Sequence, residues 1–247
     1  DLDMAEKEDI NAFIDLGTNA EMAVGNKNKI FVASAAAGPA FEGGNISMGM
    51  AGTEGAISEV RINPENKNLI IKTIGGGDAK GICGTGLISA VSEMLKNKII
   101  DENGSLEENY LREGFTISEN STRCIRIKQE DIHNLILAKA AVASGLEILT
   151  AKSGNSLSDI SNLYLAGSFA EYLNAEDAAA IGLIPPILST KAKSSGNSSL
   201  RGAIKFLENP HSARMSLEKI ISLSCPIELS EENSFGEKFI GKMNFIS

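Results

Sequence analysis

The chain has 247 residues, 43% of them hydrophobic and 22% charged, the composition of an ordinary globular chain with enough length to bury a core. Lys and Arg number 23 against 32 Asp and Glu, and the net charge of −9 repels phosphate backbones and anionic surfaces, so no nucleic-acid partner is expected. Cys83, Cys124 and Cys225 are odd in number, widely spaced and in no C-x-x-C; they build neither a disulfide framework nor a zinc or iron–sulfur set, and reduced thiols place the protein in the cytoplasm.

Residues 1–9 carry five acids and one lysine, the wrong sign for a targeting peptide, and read as a solvated linker, with 1–10 leading in from a longer protein. Residues 11–17 (NAFIDLG) predict a strand ending in a loop, and 21–25 with 29–33 continue as strands around the turn at 25–28. From 34 to 55 glycine and alanine dominate, which predicts an ordered loop. Strands follow at 56–62 and 69–74. The run GICGTG at 81–86 opens a helix whose apolar positions Leu87, Ile88, Val91, Met94 and Leu95 keep the three-four spacing. Edge strands are expected at 115–117 and 124–127. Residues 129–152 form the strongest helix, with Ile132, Leu135, Ile136, Val142, Leu146 and Leu149 on one stripe. A strand at 162–166 runs into Gly167, and helices follow at 175–181, 200–207 and 211–222. The weakly polar stretches at 31–41 and 178–188 are too short or too broken by Gly and Pro to span a bilayer, so no membrane is expected. Alternating strands and helices predict an α/β fold with a mixed sheet and flanking helices.

Three glycine-bearing turns have the chemistry to hold phosphate. In Asp15-Leu-Gly-Thr-Asn19, Gly17 admits an anion to the backbone, Thr18 offers its hydroxyl and amide, and Asp15 can aim a water or hold a metal-bound one. The plainer alternative is an Asx-turn entering a hairpin. In Gly81-Ile-Cys-Gly-Thr-Gly86 the free amides at Gly84, Thr85 and Gly86 start a helix. Its G-x-x-G-x-G spacing is neither a P-loop nor a dinucleotide fingerprint, and small residues there also suit close packing. In the third, Gly167, Ser168 and Phe169 follow a buried strand and could flank a base, or form a plain strand-to-helix turn.

The order of these motifs resembles the second lobe of the acetate and sugar kinase, heat-shock chaperone and actin (ASKHA) superfamily. More narrowly, the blocks at 14–26, 35–50, 81–91, 131–149 and 165–185 resemble the C-terminal region of reductive activators of corrinoid-dependent enzymes, ATP-dependent proteins that return cob(II)alamin to cob(I)alamin. The resemblance implies an RNase H-like lobe over 11–247 that binds ATP or ADP with Mg²⁺. It places Asp15, Gly17, Thr18 and Asn19 on the second phosphate motif, Gly84, Thr85 and Gly86 on a phosphate- or ribose-contacting turn, and Gly167, Ser168 and Phe169 on the adenosine motif. It further implies a first lobe and an iron–sulfur domain outside this sequence, and as partners a corrinoid iron–sulfur protein and the rest of its own chain; it leaves a homodimer open. On that reading this stretch alone holds half a nucleotide cleft and is inactive. The rival readings are a small-molecule kinase lobe, which needs a base for the acceptor hydroxyl, and a lobe that docks a corrinoid protein without hydrolysing ATP. Lys139 breaks the apolar stripe of the long helix and has two readings: its ammonium snorkels to water, or it points at the ribose and phosphates.

Overall fold

The computed structural model describes residues 1–121, 123–167 and 170–245, with the side chain of residue 171 left aside. Strands β1 (Asn11–Leu16), β2 (Ala20–Gly25) and β3 (Ile30–Ala35) form an antiparallel meander, and the alternation along β1 sends Ala12, Ile14 and Leu16 into the core. The loop after β3 is ordered: it makes one tight turn at Pro39–Glu42 and leads to β4 (Ala56–Ile62), β5 (Leu69–Thr73) and the two-residue β6 (Gly81–Ile82). These three strands form their own sheet in the order β5-β4-β6, with α1 (Gly84–Lys96) packed along β4. β7 (Phe115–Glu119) and β8 (Cys124–Ile127) pair as a separate hairpin that packs Ile117, Ile125 and Ile127 into the core.

The helix α2 (Gln129–Lys152) covers β2 and β3. Its start is fixed by Asp131, whose buried carboxylate accepts from the Lys128 N–H at 2.8 Å and from the Ser47 N–H at 2.6 Å. Instead of one apolar stripe it buries most of its circumference, because Ala138, Ala140, Ala141 and Ala143 fill the faces between the larger residues. By length and mean hydropathy (1.4) it could cross a membrane, yet 78% of that window is buried in this fold, which makes it a core helix.

After α2 come β9 (Asn162–Ala166), α3 (Ala175–Ala180), β10 (Ala192–Gly196), α4 (Ser198–Glu208), α5 (Pro210–Leu223), β11 (Ser224–Pro226) and α6 (Phe235–Gly241). The main sheet has the order β10-β9-β1-β2-β3-β11; β9 is parallel to β1 and to β10, so three adjacent strands deliver their C-terminal ends to one edge. Residues 1–9 keep most of their acids in water but are tied down. Ala5 is 6% exposed, Asp1 pairs with Arg201 at 2.9 Å, Glu6 with Lys219 at 2.7 Å, and the Lys7 ammonium donates to the Tyr164 hydroxyl at 2.7 Å. Those four anchors join the segment to α4, α5 and β9.

Candidate functional site

The common C-terminal edge of parallel strands is where open α/β sheets place ligands, because the chain leaves each strand there with unpaired backbone groups. Asp15 stands at that end of β1, half-buried, and Gly167 stands at that end of β9. Gly167 has φ +113, and a Cβ on it would lie 2.4 Å from the Leu16 carbonyl oxygen and 3.2 Å from Asp15 Oδ1. Only glycine lets these two strand ends approach so closely. The third end belongs to β10: Gly196 accepts from the Gly167 N–H at 3.2 Å, and three residues on the Ser199 hydroxyl donates to Asp15 Oδ2 at 2.9 Å. Oδ2 of Asp15 is thus engaged by the start of α4, and the missing Cβ of Gly167 leaves room beside Oδ1.

The β1–β2 turn is closed by the Gly17 N–H donating to the Asn19 carbonyl at 3.0 Å, which leaves Thr18 and Asn19 exposed. The Thr18 hydroxyl donates to the Glu42 carboxylate. Glu42 belongs to the tight turn at Pro39–Glu42, and Gly84 at the start of α1 packs against the Phe41 carbonyl of the same turn: a Cβ there would lie 2.0 Å from that oxygen. Gly86 meets the Ile57 carbonyl at the same 2.0 Å. Close backbone packing therefore accounts for glycine at 84 and 86, as the plainer alternative had it, and between them Thr85 is buried at the edge of a cleft. Its side chain is 3% exposed, its hydroxyl lies 3.3 Å from the Cys83 sulfur, and it lines a cleft of about 590 Å³. The Asp15 turn and the helix start at Gly84 are bridged by one short loop.

The cleft runs between β4, β5, α1 and the approach to α3, and its walls include Ser58, Arg61, Ile74, Ser89, Tyr172 and Asn174. Ile74 and the exposed ring of Tyr172 supply apolar surface, and serine, threonine and asparagine supply donors and acceptors. Its floor is a rigid ionic knot. The Asp177 carboxylate, 2% exposed, accepts from Arg61 at 2.7 Å, from the Ser92 hydroxyl at 2.9 Å and from Lys96 at 3.3 Å. Desolvation works against the Arg61 cation, but the hydrogen bond and charge of Asp177 outweigh it and raise the Arg61 pKa. Such a knot locks β4, α1 and α3 together.

One expectation changes. Lys139 neither snorkels nor enters the cleft: its side chain is 1% exposed, the ammonium donates to the Asn244 carbonyl at 2.5 Å and lies 5.4 Å from the centre of the Phe245 ring. It pins the segment after α6 onto α2, and burial, with the Lys242 charge adding to it, lowers its pKa from 10.5 to about 8. Ser168 and Phe169 lie outside the described residues. The sequence reading missed Ser199, because the strand that brings it to Asp15 has the sequence AKSSG, with no β-branched or aromatic residue to announce it. Among the described residues no three His, Cys, Asp or Glu side chains converge, so a magnesium ion here would rely on water and phosphate oxygens beside at most one or two carboxylates.

Mixed sheet, flanking helices, a hairpin turn facing a glycine-bearing strand end and a cleft beside them define an ASKHA-type lobe. The family model described as the C-terminal domain of RACo, the ASKHA domain, matches residues 9–247, and the chain belongs to that family. It is 32% identical to the corrinoid activation enzyme RamQ of Eubacterium limosum, over 97% of this chain and 43% of that protein. It is 34% identical to the Co(II) methylated amine-specific corrinoid protein reductase of Methanosarcina barkeri, over 75% of this chain and 36% of that one. The solved structure of a reductive activator for corrinoid, iron-sulfur protein superposes with a TM-score of 0.91 at 36% identity, covering 98% of this chain and 40% of its own. The chain spans less than half the length of each of these proteins.

Proposed function

We propose that this lobe binds and hydrolyses ATP as part of a reductive activator that returns the cob(II)alamin of a corrinoid protein to cob(I)alamin. The observation that carries the reading is the convergence of Asp15, Gly167 and Ser199 at one sheet edge, bridged through Glu42 and Phe41 to the start of α1 and its cleft. The three related activators support the corrinoid half of it. A cleft of about 590 Å³ is within the range that holds a nucleoside. In this arrangement Tyr172 and Ile74 shelter the base, Thr85 donates to or accepts from the sugar end, and the exposed Gly17 turn meets the phosphates once the Thr18 hydroxyl turns from Glu42 to them. The Asp15 carboxylate accepts a proton from, and thereby aims, the water that attacks the terminal phosphorus.

Reduction of a corrinoid is uphill from ordinary donors, so hydrolysis would act by favouring a closed state in which the partner accepts the electron. The electron itself would come from an iron–sulfur centre elsewhere in the full-length protein, whose other lobe would complete the cleft. The experiment is ATP turnover by the full-length gene product with a cob(II)alamin-loaded corrinoid protein. Asp15→Asn lowers kcat about 100-fold while ADP affinity stays within about twofold, since a carboxylate that aims water acts in the transition state. Unchanged turnover would remove Asp15 from the chemistry.

A further inference from the structure

We infer that Ser199, at the first turn of α4, is a positioning residue for Asp15, so that α4 is a working part of the hydrolytic site. The inference rests on the ATPase reading above. Its geometry is set by three observations. The Ser199 hydroxyl donates to Asp15 Oδ2 at 2.9 Å, although 184 residues separate the two in sequence and Ser199 itself is exposed. The bond goes to one carboxylate oxygen, and the backbone that carries the hydroxyl is itself held. That backbone is anchored on both sides: the Asn197 side chain accepts from the Leu200 N–H at 2.9 Å, and Arg201 donates to the Ser195 carbonyl and pairs with Asp1. Gly196, at the end of β10, is tied to Gly167, the residue whose missing Cβ makes room for the other Asp15 oxygen.

The chemical consequence follows from the lone pairs. A free carboxylate swings about its last torsion and presents either oxygen to water. With Oδ2 engaged by Ser199, the plane of the carboxylate is fixed, and Oδ1 is the oxygen left to receive the proton of an attacking water. Because Ser199 does not touch that water, its contribution is orientation of the base.

The test uses the full-length protein with ATP. Ser199→Ala lowers kcat about tenfold to thirtyfold, the lower end of the worth of a hydrogen bond to a charged acceptor, while KM for ATP and affinity for ADP stay within about twofold. Ser199→Thr keeps the hydroxyl and restores kcat to within about twofold. In an Asp15→Asn background Ser199→Ala has no further effect, because the two residues act as one unit. A Ser199→Ala enzyme with wild-type kcat overturns the inference, as does a rise in KM equal to the loss in kcat, or a loss in the Asp15→Asn background equal to that in wild type. If the wild-type protein itself fails to hydrolyse ATP, the ATPase reading falls and this inference with it. That outcome is distinguished by being visible before any substitution.

Discussion

Replacing Lys139 by Met should stabilise the protein, although it deletes a hydrogen bond of 2.5 Å to Asn244 and a cation held over the Phe245 ring. The reason is that the folded chain keeps an ammonium at 1% exposure with another cation, Lys242, close enough to add to the cost. Moving the pKa from 10.5 to about 8 corresponds to about 3 kcal/mol of penalty for the charged form, at about 1.4 kcal/mol per tenfold. Methionine retains most of the stem in the same buried position, and Asn244 is an exposed residue whose backbone has water within reach, so about 2 kcal/mol of that penalty is recovered. For a chain of this size the gain is about 4 to 8 °C in Tm.

The pH dependence carries the mechanism. Between pH 8 and 10.5 the unfolded wild type holds a proton that the folded state has released, so its stability rises with pH across that window, while below pH 8 both states hold it and the full penalty applies. The advantage of Lys139→Met is therefore largest at pH 7 and shrinks toward pH 10. Urea melts at pH 7 and pH 9.5 measure it. A variant destabilised by more than about 1 kcal/mol at pH 7, or an advantage equal at both pH values, would refute the reasoning.

Gly86→Ala drives a methyl to 2.0 Å from the Ile57 carbonyl and should cost about 2 to 3 kcal/mol, whereas Gly202→Ala, inside α4 with nothing within 4 Å, should gain about 0.5 to 1 kcal/mol; paired denaturant melts compare them. Asp177→Asn leaves Arg61 and Lys96 facing an amide in a buried knot and should cost about 3 kcal/mol, read as a drop in melting midpoint together with faster amide exchange in α3.

Elements with a strong local period were legible in the sequence. The meander of β1 to β3, the pair β4 and β5, the helix starts at Gly84 and Gln129 and the strand β9 all fall within a residue or two of where alternation or the three-four spacing put them. What escaped is structure created by its neighbours. β10 and β11 are edge strands of a mixed sheet whose sequences, AKSSG and SCP, have little propensity of their own and are strands because β9 and β3 offer unpaired edges. α6 is two turns long and is held by Glu147, which pairs with Lys238 at 3.2 Å and Lys242 at 2.5 Å, ion pairs that no local pattern encodes. At the site, Asp15 and Gly167 are readable as turn residues at strand ends, although an Asx-turn or a plain strand-to-helix turn uses the same residue types. Ser199 is not, since its meaning depends on a contact 184 residues away. Lys139 shows the converse: its place in an apolar stripe signals that something unusual happens there, but the partner, the segment after α6, is fixed by tertiary packing.

The most direct test of the central claim is the absorbance of the corrinoid. Full-length protein, reduced under anaerobic conditions and mixed with a cob(II)alamin-loaded corrinoid protein, should produce cob(I)alamin on addition of ATP, with ADP giving none and Asp15→Asn slowing the conversion about 100-fold. Cob(I)alamin forming equally fast without nucleotide, or at the wild-type rate with Asp15→Asn, would contradict it.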